Sequence, residues 1–142
     1  MQKIKIIYLD IDGVLISHRY WKEVPEEVRD SKRDKLGESF DQYSSNLLNN
    51  LIEETEAKIV ITSVWRYNGL KTIQDLWKER GMSGEVIDIT PDYYRKVRMF
   101  KVPRGCEIQA HYKKSTGLSI GYGMEICLEG QWLNQHLRIM LF

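Results

Sequence analysis

The stretch that most constrains this chain is Lys3 to Leu15, KIKIIYLDIDGVL. Ile4, Ile6, Ile7, Tyr8 and Leu9 are apolar on both faces, the pattern of a central strand buried on both sides in a parallel sheet. The run ends at Asp10, and Asp12 and Gly13 follow at once. Carboxylates at i and i+2, at the carboxyl end of such a strand, stand where open α/β sheets take their ligands. Gly13 allows a sharp backbone departure with positive φ. An acidic turn that ends a strand and opens a helix explains the tetrapeptide alone equally well. The apolar strand before it, and Val14 and Leu15 after it, make the whole segment far more specific.

The rest of the chain fits one domain over residues 1–142, large enough for a single core and too small for two. Lys and Arg number 21 against 20 Asp and Glu, so overall charge argues for neither a nucleic-acid nor a membrane partner. No apolar run approaches the roughly 20 residues that span a bilayer. Lys3 and Lys5 interrupt the first apolar stretch, unlike a signal peptide, and the expected location is cytoplasmic. Cys106 and Cys127 lack a CxxC partner or a His at ligand spacing, and read as buried or half-buried free thiols.

Beyond Leu15 the pattern turns polar and charged, punctuated by Pro25 and Gly37, over an insertion at about 16–38. Pro25-Glu26-Glu27 reads as the first turn of a short helix. Ser39 to Ala57 reads as a helix, with Leu47, Leu48, Leu51 and Ile52 on one face and Asp41 or Ser39 as its cap. Lys58 to Thr62, KIVIT, is a second buried strand and ends in Thr62-Ser63. A helix is expected over Tyr67 to Arg80, stopped by Gly81, and then a short strand over Glu85 to Ile89. A third helix begins near Pro103-Arg104 and runs to about Lys114. The tail, about 115–142, has apolar runs at Leu118 to Cys127 and Leu137 to Phe142. These elements predict a three-layer α/β domain, a mostly parallel, Rossmann-like sheet between helices.

Three strings carry a family resemblance. IYLDIDGVL resembles the first motif of the haloacid dehalogenase-like (HAD-like) superfamily, hhhDxDG[VT]h. KIVITSVWR and RGCEI resemble the hhhh[ST]SxWR and R-G-x-E-I elements of the HAD domain of Swiss Army Knife RNA repair-like proteins. The resemblance implies that Asp10 is a nucleophile attacking phosphorus and that Asp12 is the acid/base. It implies a phosphate-binding hydroxyl at Thr62, with Ser63 as alternative. The charge-offsetting cation falls on Arg104, with Lys101 as alternative, and Arg66 joins Ser63 and Lys101 as a candidate substrate group. The segment after the first motif would form a flap or small cap, so His18, Arg19, Tyr20 and Trp21 either touch substrate or form a solvated loop.

The family's final motif, one or two acids completing a Mg²⁺ site, has no counterpart, since no aspartate follows Asp92. Glu125 is the substitute candidate beside Asp10 and Asp12 as metal groups, although its apolar flanks suggest a mid-strand residue. Either the site is weakened or the tail is read out of frame. The expected activity is a Mg²⁺-dependent phosphomonoesterase working through an aspartyl-phosphate on Asp10. Its partner would be a phosphorylated small molecule or a nucleic-acid end phosphate. The competing expectation is a weak or inactive phosphate-binding or interaction module.

Overall fold

The computed structural model describes residues 4–93, 104–116, 124–129 and 136–141. At its centre is β1 (Ile6–Leu9), every residue of which is buried. It pairs in parallel with β4 (Lys58–Ile61), which pairs in parallel with β5 (Val86–Ile89). On the other side of β1 lies an antiparallel hairpin, β6 (Met124–Glu129) and β7 (His136–Leu141), giving the order β5-β4-β1-β7-β6. Because β6 and β1 are both antiparallel to β7, four of the five strands point the same way. The architecture is the expected α/β sheet, with its parallel half at β1, β4 and β5 and an antiparallel hairpin closing the far edge.

Alternation along β1 divides the core. Ile7 and Leu9 join Ile59, Ile61, Leu48, Ile52, Ile73, Leu76 and Trp77 in the larger apolar cluster. Leu48 and Ile52 come from the crossover helix α3 (Gln42–Thr55), and Ile73, Leu76 and Trp77 from α4 (Leu70–Glu79), so these two helices cover one face. Ile6 and Tyr8 point the other way, with Val60, towards Ile108 on α5 (Arg104–Thr116). Asp41 caps α3 by accepting the Tyr43 N–H at 3.0 Å, so the cap is Asp41 and not Ser39.

Three sequence expectations change. The helix expected over Tyr67 to Arg80 is split: a 3₁₀ turn spans Val64–Asn68, Gly69 follows with φ 84°, and only then does α4 begin. Positive φ is cheap for glycine alone, so Gly69 breaks a run whose side-chain periodicity reads as continuous. The insertion is also more ordered than a loop. It holds α1 (His18–Glu23), capped by Ser17, then α2 (Glu26–Arg29) and a two-stranded ribbon of β2 (Arg33–Asp34) and β3 (Gly37–Glu38). Cys106 is a free, exposed thiol on α5, contrary to the buried or half-buried thiol expected. No helix among the described residues is long and apolar enough to cross a membrane.

Candidate active site

The acid pair is positioned by a closed loop at the carboxyl end of β1. The N–H groups of Val14, Leu15 and Ile16 converge on the Ile11 carbonyl at 3.2, 2.9 and 3.1 Å, and Gly13 N–H reaches the Ile16 carbonyl at 3.0 Å. Gly13 sits at φ 80°, where a side chain would strain the turn. Ile11, Val14 and Leu15 are buried in the larger cluster and anchor the loop, so Asp10 and Asp12 emerge together at the sheet rim.

Each acid has its own partners. Arg104 Nη1, at the start of α5, lies 2.7 Å from Asp10 Oδ2. That contact is charge to charge, for Nη1 is buried and makes no aligned hydrogen bond. Asp12 accepts two hydrogen bonds, from Ser63 Oγ to Oδ2 at 3.1 Å and from the Trp65 indole N–H to Oδ1 at 3.0 Å. Of the two candidate hydroxyls, Ser63 is the one turned to the acid pair. Thr62 instead donates its hydroxyl to the Leu9 carbonyl at 3.1 Å, while its N–H bonds the same carbonyl at 2.8 Å. The preferred position of the sequence reading thus serves as a clasp between β4 and β1.

Arg66 is corrected in the same way. It is 5% exposed, its Nη1 donates to the Thr62 and Ser63 carbonyls, and its Nη2 pairs with Glu107 Oε2 at 2.9 Å and Asp92 Oδ1 at 3.7 Å. The guanidinium is buried and is committed to these protein partners. Glu107 Oε1 takes the Tyr93 N–H at 2.9 Å, so one buried ion pair binds the ends of β4 and β5 to α5. A second tie runs from Tyr8 OH to His111 Nδ1 at 3.0 Å and from His111 Nε2 to Asp88 Oδ2 at 3.1 Å. Burial, then the Tyr112 and Asp88 charges, raises the Tyr8 hydroxyl to about 12.

Trp65 reads from the sequence as either a substrate-side group or a packing residue, with packing preferred, and the structure turns its indole N–H to Asp12. Its ring lies 6.3 Å from Phe40 and 5.3 Å from the Arg80 guanidinium, and a Cβ at Gly37 would meet it at 3.8 Å. The insertion is therefore docked on the same indole that donates to Asp12. Its only sequence signal was the WR pair following the second strand.

Lys101 lies outside the described residues. Glu125 lies in β6, level with Met140 and through it with Tyr8. That register puts it two strands, roughly 10 Å, across the sheet from β1 and two residues short of Asp10. It does not bring Glu125 to the acid pair as a metal ligand. Among the described residues no group of three or more His, Cys, Asp or Glu could hold a metal ion.

The acid pair stands at the carboxyl end of β1 on an α/β sheet of the HAD type, and comparison with known families agrees with that fold. Residues 6–121 match the family described as the HAD domain in Swiss Army Knife RNA repair proteins. The match covers most of the chain, and the chain belongs to this family. No curated protein and no solved structure matches it.

Proposed function

We propose that the chain is a phosphohydrolase that cleaves phosphomonoesters through an aspartyl-phosphate at Asp10. The supporting observation is the convergence of Arg104 on Asp10 and of Ser63 and Trp65 on Asp12 at one rim of the sheet. In the first step an Asp10 carboxylate oxygen attacks phosphorus and the P–O bond to the leaving group breaks. Asp12 gives the departing oxygen its proton. In the second, water attacks the phosphorus of the acyl-phosphate as Asp12 takes its proton, and inorganic phosphate and the Asp10 carboxylate are released. Arg104 offsets the charge of nucleophile and phosphate together, and its unaligned Nη1 is free to turn to a phosphate oxygen. Ser63 and Trp65 hold Asp12 facing the leaving group, and Thr62 keeps the two strand ends in register.

The family generally uses Mg²⁺, and the donor set suits a sparsely held ion. Magnesium is commonly bound by one or two carboxylates with substrate phosphate and water. Asp10 Oδ1, with no partner among the described residues, and the Asp12 backbone carbonyl would hold it. Bound there, it would neutralise part of the charge that repels a carboxylate from a phosphate dianion. The family's description as a domain of RNA repair proteins favours a nucleic-acid end phosphate over a metabolite.

Hydrolysis of a generic aryl phosphate with Mg²⁺, compared with Asp10→Asn, tests the mechanism. Activity that outlives the substitution refutes it. A folded wild type with no activity on any phosphomonoester, yet binding phosphate, supports the second reading: a phosphate-binding module. The lack of a further acid beside Asp10 among the described residues favours that alternative.

A further inference from the structure

The insertion and the Gly13 turn line a cleft of about 470 Å³. One wall is Gly13, the residue that follows Asp12 in the turn, although neither acid lines the cleft itself. Another is the ring of Trp21, which is 9% exposed and whose indole N–H is buried without an acceptor among the described residues. Lys22, Arg29 and Arg33 also line it, against the single carboxylate of Glu38. Arg33 is paired with that carboxylate at 3.1 Å, and Arg29 Nε donates to the Val24 carbonyl at 3.1 Å. Lys22 has no ion-pair partner among the described residues, and Arg29 leaves its two terminal nitrogens uncommitted there.

A cleft with surplus positive charge and an aromatic residue in its lining fits a ligand that is both anionic and ring-bearing. A bare phosphomonoester would leave these groups unused, since its only phosphate must sit on Asp10. We propose that the cleft binds the nucleotide unit adjoining the scissile phosphate, its phosphate or phosphodiester on Lys22 and Arg29 and its ring against Trp21. This rests on the phosphohydrolase reading and narrows its substrate class to nucleotides that carry a second phosphate group. Such a group comes from a nucleoside bisphosphate or from the terminal linkage of an oligonucleotide, and the same chemistry recognises both.

The test compares kcat/KM for an aryl phosphate, a nucleoside 3′,5′-bisphosphate and a phosphate-ended dinucleotide, in the wild type and in Lys22→Ala/Arg29→Ala. The wild type should favour at least one two-phosphate substrate over the aryl phosphate. In the double variant that preference should fall about tenfold or more, mainly through KM. A lower KM for the dinucleotide identifies an oligonucleotide end as the source, and equal values a free nucleotide. A wild type with no preference for a second phosphate, or a variant in which the preference is unchanged, overturns the proposal. Calorimetric titration of the bisphosphate into the Asp10→Asn protein separates the two readings. Binding that persists there and weakens on adding Lys22→Glu upholds the cleft even if no hydrolysis is seen. No binding rejects the cleft whatever happens at Asp10.

Discussion

The two faces of the sheet are held by different physics. Under α3 and α4 the contacts are aliphatic and aromatic, with Leu48, Ile59, Ile61 and Ile73 wholly buried. Among the described residues the apolar cluster under α5 is small, and the helix is tied down by Arg66–Glu107 and by the Tyr8–His111–Asp88 chain. Apolar packing is non-directional and tolerates small shifts, whereas hydrogen-bonded ion pairs set angles and register. The first face supplies stability; the second aims Arg104, at the first turn of α5, at Asp10. A buried pair contributes little net stability because of its desolvation cost, so its presence here fits a positioning role.

The largest effect should come from the rim that the second face serves. Asp10→Asn should lower phosphatase kcat by about a thousandfold or more while shifting stability by under about 1 kcal/mol, because the Asp10–Arg104 pair is part-exposed. A denaturant melt beside the assay checks both halves. Next, Trp77→Ala should cost about 3–5 kcal/mol by opening a cavity in the apolar face. Glu107→Ala should cost a similar amount, about 3–5 kcal/mol, for a different reason: it leaves the Arg66 charge buried with only the distant Asp92. The contrast sharpens in activity per folded molecule, which should drop for Glu107→Ala and hold for Trp77→Ala. Equal activities would break the division of labour.

Smaller effects follow from the two ties. The Tyr8 hydroxyl goes from its usual 10.0 to about 12, so the folded state keeps a proton that the unfolded chain has lost. Stability from this group is therefore complete below pH 10 and declines as pH rises from 10 to about 12. Thermal melts across that window should show the decline, and Tyr8→Phe should remove this component. Trp65→Phe removes one hydrogen bond to Asp12 and should lower kcat about fivefold, near 1 kcal/mol, with little change in KM. Ser63→Ala should cost more activity than Thr62→Ala, and Thr62→Ala more stability. The reverse order would return the phosphate contact to Thr62.

Most of the fold was legible because β1 and β4 are apolar on both faces and only a central parallel strand reads that way. The acid pair was legible because the apolar run of β1 ends abruptly at Asp10, whereas Arg104 was named through the family resemblance, with Lys101 as the alternative. What escaped was set by tertiary choice. Thr62 and Ser63 are adjacent hydroxyls, and only the rotation of the chain past β4 decides which of them faces Asp12. Arg66 resembled a substrate cation until Glu107, forty-one positions away, claimed it. The order inside the insertion rests on contacts such as Asp34 with Arg80 at 2.8 Å, which no local pattern announces.

The Trp65 indole touches both Asp12 and the docked ribbon, and this makes it an intrinsic optical gauge. Its emission should respond when Asp12 exchanges its proton and when the ribbon lifts to admit a ligand. Selective excitation in a Trp21→Phe, Trp77→Phe, Trp132→Phe background, which leaves Trp65 as the one tryptophan, would then follow entry and turnover in real time without any attached label.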